Sequence, residues 1–524
     1  MNKKAAASLT YIIYIMYGLL FLSLVLRLVF SETEPAFGPL TTSIFLIVLV
    51  LFYKLFGKIE ARLERYYNYI LIIFLICSLV SQIISAHYLR YNPEWDIGAV
   101  YFGAIEWAET STFAGYVEYF KYFPNNLGSM AILALLFKLA HCIGLNDYFM
   151  VASCVNSLCV AATILTVASI CKRILGIRQA VFSLVLFGFT LPFWIIGAAF
   201  YTDSLSMLFP ALLLFLYLEV QACKSIRNRV ILSILLAAIA TLGALIKITV
   251  LIMLIAIIIE SLLCRPWKQT ALFASISILI VWAGFTTLQM IIYPHHIDTH
   301  IAEQYNTPYL HWIMMGLQGN GGYNAADYEF TRSFTDTVER DTALIQEISH
   351  RITELGPNGL YKLFWRKNIQ MFGDGTFGLS GFYRYGPENL GWLHEFILDN
   401  GTKAAVYRQA CYISFTSILA LAMASGLKEI YWKSVNPRQD KRRKDKANPT
   451  SYTILNNTWT CIAPRLALLG VMFFFSAWET SGRYITNYVP IIIVCAAMGI
   501  QEVTKLVRSF AHMITSAWNV IWTK

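Results

Sequence analysis

The stretch LGSMAILALLFKLAHCI, residues 127–143, decides how the chain is folded. If it crossed a membrane, every later loop would change sides. Charge arbitrates, because cytoplasmic loops collect Lys and Arg. With 127–143 lying on the outer surface, the basic loops 54–65, 172–178, 224–229, 265–268 and 433–446 all fall on one side. Lys3, Lys4, Lys505 and Arg508 join them there. With 127–143 as a span, the 433–446 run would face away from the N-terminus. The expectation is therefore an amphipathic helix in the outer interface, its Lys138 and His141 reaching water.

Composition sets the frame for that argument. Only 14% of the 524 residues are charged and 57% are hydrophobic, against about 25% charged in a soluble protein. Mean hydropathy is +0.56. These values exclude a soluble enzyme, a disordered chain and a nucleic-acid module. The net charge of +10 then reports topology and not a nucleic-acid partner. Ten cysteines stand singly in apolar runs with no CxxC pair, as small lipid- or core-facing side chains do.

A bilayer core needs about 20 apolar residues per helix. Candidate spans are 10–30, 40–57, 67–87, 150–171, 180–199, 204–222, 230–246, 248–264, 270–292, 405–432, 460–480 and 483–502. The predicted architecture is an all-α polytopic membrane protein of about 12 spans, with both termini cytoplasmic. Its parts are two N-terminal spans (1–66), a membrane core (67–292) with a first outer loop (88–148), and an extracytoplasmic segment (293–404). The C-terminal spans (405–502) with a basic cytoplasmic loop (433–458) follow, and an amphipathic tail (503–524). Within the outer segment the sequence predicts a helix around 336–355 and turns at Gly356-Pro357 and Gly386-Pro387.

Ionisable groups at a membrane boundary are costly and often functional. Asp96 follows the third span within Glu94-Trp95-Asp96, and a carboxylate there could take a proton from a hydroxyl. Tyr101 lies one turn further on. Asp203, in Tyr201-Thr202-Asp203, falls on the same outer face; its plain structural role would be to cap a helix from Ser204. Lys247 separates two short spans, where it could snorkel. Arg483 lies between the last two, where it could pair with Glu479. Both cations suit a lipid phosphate. His295, His296, Asp298 and His300 could bind a divalent metal, although their spacing is not a strong ligand pattern, and no cofactor is expected. Gly316–Tyr323 lacks the ending of a phosphate-binding loop and reads as a lid or turn over a site.

The order of elements resembles the GT-C membrane glycosyltransferases, in particular the protein O-mannosyltransferase and aminoarabinose-transferase type (glycosyltransferase family 39-like). The resemblance rests on several features in sequence. An acid-bearing outer loop comes first, and then Tyr122-x-Pro124 opens a surface helix ending in Lys138-Leu139-x-x-x-x-Gly144. A span closes on Lys172-Arg173-Ile174-Leu175-Gly176, the next ends near Pro192, and Tyr201-Thr202-Asp203 follows. The likeness covers about residues 67–292. It implies Asp96 as general base, Asp203 as a second acid, and Lys247 and Arg483 as holders of the donor phosphate. Glu94, Tyr101 and Glu479 would support them. The implied activity is inverting sugar transfer from a polyprenyl-phosphate donor to an extracytoplasmic acceptor: glycolipid, wall polymer or protein. The chain departs from the pattern in its two extra spans, in Trp95-Asp96 where an acidic pair is usual, and in an outer segment set between spans. The alternative activity is a transporter or lipid-linked sugar flippase, for which internal repeats and midplane charges would be the signs; no repeat is present.

Overall fold

The structure is a computed structural model and describes residues 3–30, 38–386, 391–435 and 461–522. Among the described residues every regular element is helical. The first group runs α1 (Lys3–Val29), α2 (Gly38–Lys58), α3 (Glu60–Tyr88), α4 (Trp95–Thr110), α5 (Val117–Tyr122), α6 (Leu127–Cys142), α7 (Tyr148–Leu175) and α8 (Ile177–Phe189). It continues with α9 (Thr202–Leu205), α10 (Leu208–Ala222), α11 (Ile226–Ile246), α12 (Leu251–Cys264) and α13 (Trp267–His296). The outer segment folds as α14 (Thr299–Tyr305), α15 (Tyr309–Met315), α16 (Ala325–Arg332), α17 (Thr337–Gly373), α18 (Leu379–Tyr383) and α19 (His394–Ile397). The chain closes with α20 (Ala404–Val435), α21 (Ala463–Ala477) and α22 (Val489–Trp522).

Among the described residues nine helices are long and apolar enough to cross a membrane. Three further expected spans, 180–199, 248–264 and 460–480, are shorter apolar helices, so the expected count of 12 full spans is not reached. The cause is local. Pro192 has no N–H to give the Gly188 carbonyl, and Thr190 (φ −84°, ψ 80°) leaves the helical region, so α8 stops at Phe189 and the chain continues in two short 3-10 turns. At about 1.5 Å per residue its 13 residues reach roughly 20 Å, short of a bilayer core of about 30 Å. The chain is a multi-pass integral membrane protein. From 436 on, the basic loop expected at 433–458 lies outside the described residues, as do the side chains of Lys3, Lys4 and everything from 510 on.

Alternating helix directions put the helix ends on two faces. One face gathers basic groups: Arg178 donates to the Tyr53 carbonyl at 2.8 Å, Arg265 to Gln221 at 2.6 Å, and Arg173 pairs with Glu219. The opposite face holds α4 to α6. Both ends of α6 are tied to that one face. At its start, Ser129 donates to the carbonyl of Ile246, the last residue of α11, at 3.0 Å. At its end, His141 meets the Tyr148 hydroxyl at 3.0 Å at the start of α7, where Arg90 also holds Asp147 with two bonds of 2.8 and 2.9 Å. A helix anchored this way lies along the bundle end, and the chain bends by 116° to enter it. Lys138 and His141 are exposed.

The outer segment keeps the expected break at Gly356, whose φ of 57° is left-handed. Beyond Pro357, however, the chain returns to helix and runs to Gly373, back onto the bundle. There Arg27 of α1 stacks 4.8 Å over Trp365 and donates to the Tyr361 hydroxyl at 2.9 Å.

Gly128 fixes how closely α6 can approach. A Cβ at that position would lie 2.1 Å from the Leu245 carbonyl oxygen. Gly128→Val is expected to push α6 off α11 and cost on the order of 1–3 kcal/mol, as overpacking does. Thermal unfolding in detergent checks this against Gly381→Ala, whose new methyl meets no atom within 4 Å. Equal midpoints for the two variants would refute the close approach.

Candidate functional site

Three breaks in helices meet on the face that carries α4 to α6. The first is α9, a single turn entered through Tyr201, whose N–H donates to the Ser204 hydroxyl at 3.2 Å. The second is Lys247, where the backbone turns extended (φ −151°, ψ 115°) and ends α11. The third is the 3-10 helix Gly482–Tyr488 before α22. Thr249 joins the last two, accepting from Asn487 at 3.1 Å through its hydroxyl and from Tyr488 at 2.8 Å through its carbonyl.

These breaks bring together residues far apart in sequence. Asp203, 3% exposed, is ion-paired with Lys247 and lies 3.8 Å from Arg483 Nε. The Lys247 ammonium also sits 4.6 Å over the Tyr484 ring, and Tyr484 donates to Glu479 at 2.9 Å. Burial lowers the Lys247 pKa even with Asp203 beside it, and burial raises that of Glu479. The Arg483 guanidinium stacks between Tyr201 (5.1 Å) and Tyr484 (5.3 Å). It makes no hydrogen bond of ordinary length among the described residues. It lines a crevice of about 10 Å³, room for about one water molecule, with Asp203, Ser204, Phe377, Leu379 and Phe382. Gly378, with φ of 66°, lets the chain pass there: a Cβ would lie 3.4 Å from that of Arg483. A surface depression of about 450 Å³ beside Glu303, Asp336 and Arg340 shares no residue with this cluster.

Asp96 sits on the far side of Tyr201, in the first turn of α4. Tyr119 donates to its Oδ1 at 2.8 Å and is itself fixed by Asn126 at 2.6 Å. Among the described residues Oδ2 has only the Tyr201 hydroxyl, at 3.5 Å. One carboxylate oxygen is thus anchored and the other weakly engaged.

The structure therefore brings Asp96, Asp203, Lys247, Glu479 and Arg483 into one connected group. Two expected partners stand apart. Glu94 is exposed at the N-cap position of α4 and makes no capping bond. Tyr101 is buried between α4 and α6, against Phe137 and Phe200. The simpler local roles also change. Asp203 lies inside α9 and pairs with Lys247 instead of capping. Lys247 is buried, not snorkelling. Glu479 takes Tyr484 and not Arg483. Tyr119, Asn126 and Tyr484 had no signal of their own, because their roles depend on which charges they meet.

The outer segment holds the Arg483 loop in place. Glu479 N–H donates to the Trp312 carbonyl at 3.0 Å, and Thr480 N–H to that of Gly321 at 2.8 Å. Buried Lys367 donates to the carbonyls of Gly316, Ser476 and Trp478 at 2.6–3.0 Å, and burial pulls its pKa down to about 8. The glycine-rich stretch expected as a lid is thus fastened to the 476–480 backbone. Another carboxyl missed from sequence, Asp374, accepts from Thr376 N–H at 2.6 Å, and burial raises its pKa. Among the described residues no three His, Cys, Asp or Glu side chains are placed to share a metal. The side chains of His295 and His300 lie outside the described residues, and His296 packs on Phe113.

A family model described as conserved hypothetical integral membrane protein matches residues 3–433. No curated protein matches the chain. Among solved structures, the crystal structure of ArnT from Cupriavidus metallidurans bound to undecaprenyl phosphate is similar at 13% identity. The match covers 83% of this chain and 77% of that one, with a TM-score of 0.33.

Two predictions follow from the geometry. Removing one partner of a buried ion pair strands the other, at a cost of roughly 3–5 kcal/mol. Asp203→Leu is therefore expected to lower the unfolding midpoint sharply, and Asp203→Leu with Lys247→Met to recover much of the loss; a double variant no better than the single would refute the pairing. The second prediction concerns His311, fully buried in the outer segment against Thr331 at 2.6 Å, where burial lowers its pKa to about 4. The unfolded chain protonates this ring near 6.5 and the folded chain does not. Its contribution is intact above pH 6.5 and is lost as pH falls through 4, roughly 2–4 kcal/mol in all. His311→Gln should flatten that part of the stability profile measured from pH 7 to 4; a profile identical to wild type would refute it.

Proposed function

The chain belongs to the family of conserved hypothetical integral membrane proteins, and on that premise we propose that it is a polyprenyl-phosphate-dependent glycosyltransferase. The observation that carries this reading is Arg483. Its guanidinium borders a cleft with apolar walls and makes no ordinary hydrogen bond among the described residues, while Asp96 lies just across Tyr201 with one free-facing oxygen. A guanidinium with open donors beside apolar walls suits a lipid phosphate. A carboxylate with one oxygen fixed by a tyrosine suits a general base.

In the proposed reaction the donor's prenyl chain lies among the helices and its phosphate meets Arg483, with Lys247 adding positive charge behind Asp203. The acceptor hydroxyl oxygen attacks the anomeric carbon from the side opposite the phosphate. The bond from carbon to phosphate oxygen breaks, and that electron pair leaves with the polyprenyl phosphate. Asp96 takes the hydroxyl proton. The anomeric centre inverts. Because phosphate is a good leaving group that Arg483 stabilises as charge develops, one base suffices and no second carboxyl at glycosidase spacing is required. Tyr119 orients Asp96; Tyr201 separates the base from the phosphate site. The basic face is cytoplasmic by the charge rule, so both termini are cytoplasmic and the site opens outside.

The test is a reconstituted transfer assay over labelled polyprenyl-phosphate sugars. Asp96→Asn is expected to lower turnover by roughly 10²–10⁴-fold, the usual size of a general-base term, with donor binding kept. Arg483→Ala is expected to weaken donor binding. Full turnover by folded Asp96→Asn would remove the base assignment. Substrate flux in liposomes without turnover of any donor would favour transport.

A further inference from the structure

Trp95 immediately precedes the proposed base and is built unlike its neighbours. Its φ is 50°, a left-handed conformation in which a bulky side chain is a steric outlier. Its indole is 55% exposed. The Arg384 guanidinium stacks 4.5 Å from its ring centroid, and Tyr385 meets it edge-on at 4.9 Å. The Asn92 N–H donates to the Tyr385 carbonyl at 3.0 Å and pins the two loops together. Arg384 is itself exposed, with no hydrogen-bond acceptor or carboxylate partner among the described residues.

We propose that Trp95 and Arg384 form the acceptor subsite: a saccharide ring lies against the indole, and a carboxylate or phosphate carried by that saccharide is taken by Arg384. This rests on the transferase reading above. The electron-rich indole face attracts the positively polarised C–H groups of a pyranose ring as it attracts cations. The guanidinium stacked over the ring presents open donors in the planar fork that matches an anion. Trp95 adjoins Asp96, about 3.8 Å between Cα atoms, so the subsite borders the start of α4, which carries the base. A tryptophan serving only as an interfacial anchor has no need of a left-handed backbone or of a cation on its ring. Strain of this kind gathers at ligand-holding positions. A peptide acceptor is less suited, because the described residues offer no strand edge on which an extended chain could add.

The experiment is ligand-observed saturation-transfer NMR on the full chain in detergent, with glucuronic acid, glucose 6-phosphate and glucose as probes. Binding of polyprenyl phosphate is measured in parallel. Wild type is expected to prefer the two anionic sugars over glucose by roughly tenfold, the size of one charge-assisted bond. Arg384→Gln should bring that preference to within about twofold. Trp95→Ala should abolish saccharide binding, and Trp95→Phe should restore part of it. Polyprenyl phosphate binding and the unfolding midpoint should stay at wild-type values in all three variants. Saccharide binding that ignores both residues, or binding of a serine-containing peptide lost in Trp95→Ala in place of the sugars, overturns the subsite while polyprenyl phosphate binding persists. Loss of polyprenyl phosphate binding from wild type itself would instead fell the transferase reading, and the subsite with it.

Discussion

A carboxylate that stays charged when almost fully buried needs a cation or several donors beside it, and Asp203 has Lys247 in contact and Arg483 close by. That constraint organises the whole site face. It requires α9, the end of α11 and the 482–488 turn to meet, although they come from three separate parts of the chain. Each gives up regular helix to do so. The freed backbone groups are taken up locally, as when Thr249 accepts from Tyr488 and the Ser204 hydroxyl accepts from Tyr201. Broken helices inside a membrane protein are tolerated where neighbouring groups satisfy the backbone in this way.

The outer segment extends the same logic into water. Lys367 gathers three carbonyls from two segments and carries no carboxylate contact among the described residues, so burial lowers its pKa while its donors fix the backbone just before Glu479. The result is a site whose cationic wall is set by the bundle and braced from above. On the proposed reading that rigidity matters, because the base, the attacked carbon and the leaving phosphate must stay in line.

The membrane architecture was legible in sequence because hydropathy and charge act over whole segments. The placement of 127–143 along one face followed from counting Lys and Arg, and the ties of α6 to Ile246 and Tyr148 agree with that placement. The charges that gather at the site were legible as exceptions, since an ionisable group beside an apolar run is conspicuous. Their pairing was not. Asp203 looked like a cap and Arg483 like a partner for Glu479, because sequence offers only near neighbours as candidates, while Lys247 lies 44 residues from Asp203. Tyr119 and Lys367 were invisible for a related reason: a tyrosine on a short helix or a lysine mid-helix gains meaning only from what the fold puts opposite it. Helix lengths failed where a single residue decided them, as Pro192 did for α8.

Two arginines near opposite ends of the last helices, buried Arg465 and partly exposed Arg483, differ in how their donors are used. Arg465, at the basic face, donates from Nε to the Ser425 hydroxyl at 3.2 Å and from its two terminal nitrogens to the carbonyls of Ser425 and Cys461 at 3.0 Å each. Glu260 closes the same region by accepting from the Ala463 N–H at 2.5 Å. Every guanidinium nitrogen of Arg465 is bonded within the protein. Arg483 is held by ring faces and by one carboxylate at 3.8 Å, so its position is fixed while its hydrogen-bonding directions stay open. Stacking restrains a planar guanidinium without consuming its N–H groups, which lie in the plane and not along the ring normal. On the proposed reading those open directions are what a phosphate takes up, and a carboxylate bonded directly to Arg483, as Asp203 is to Lys247, would occupy them.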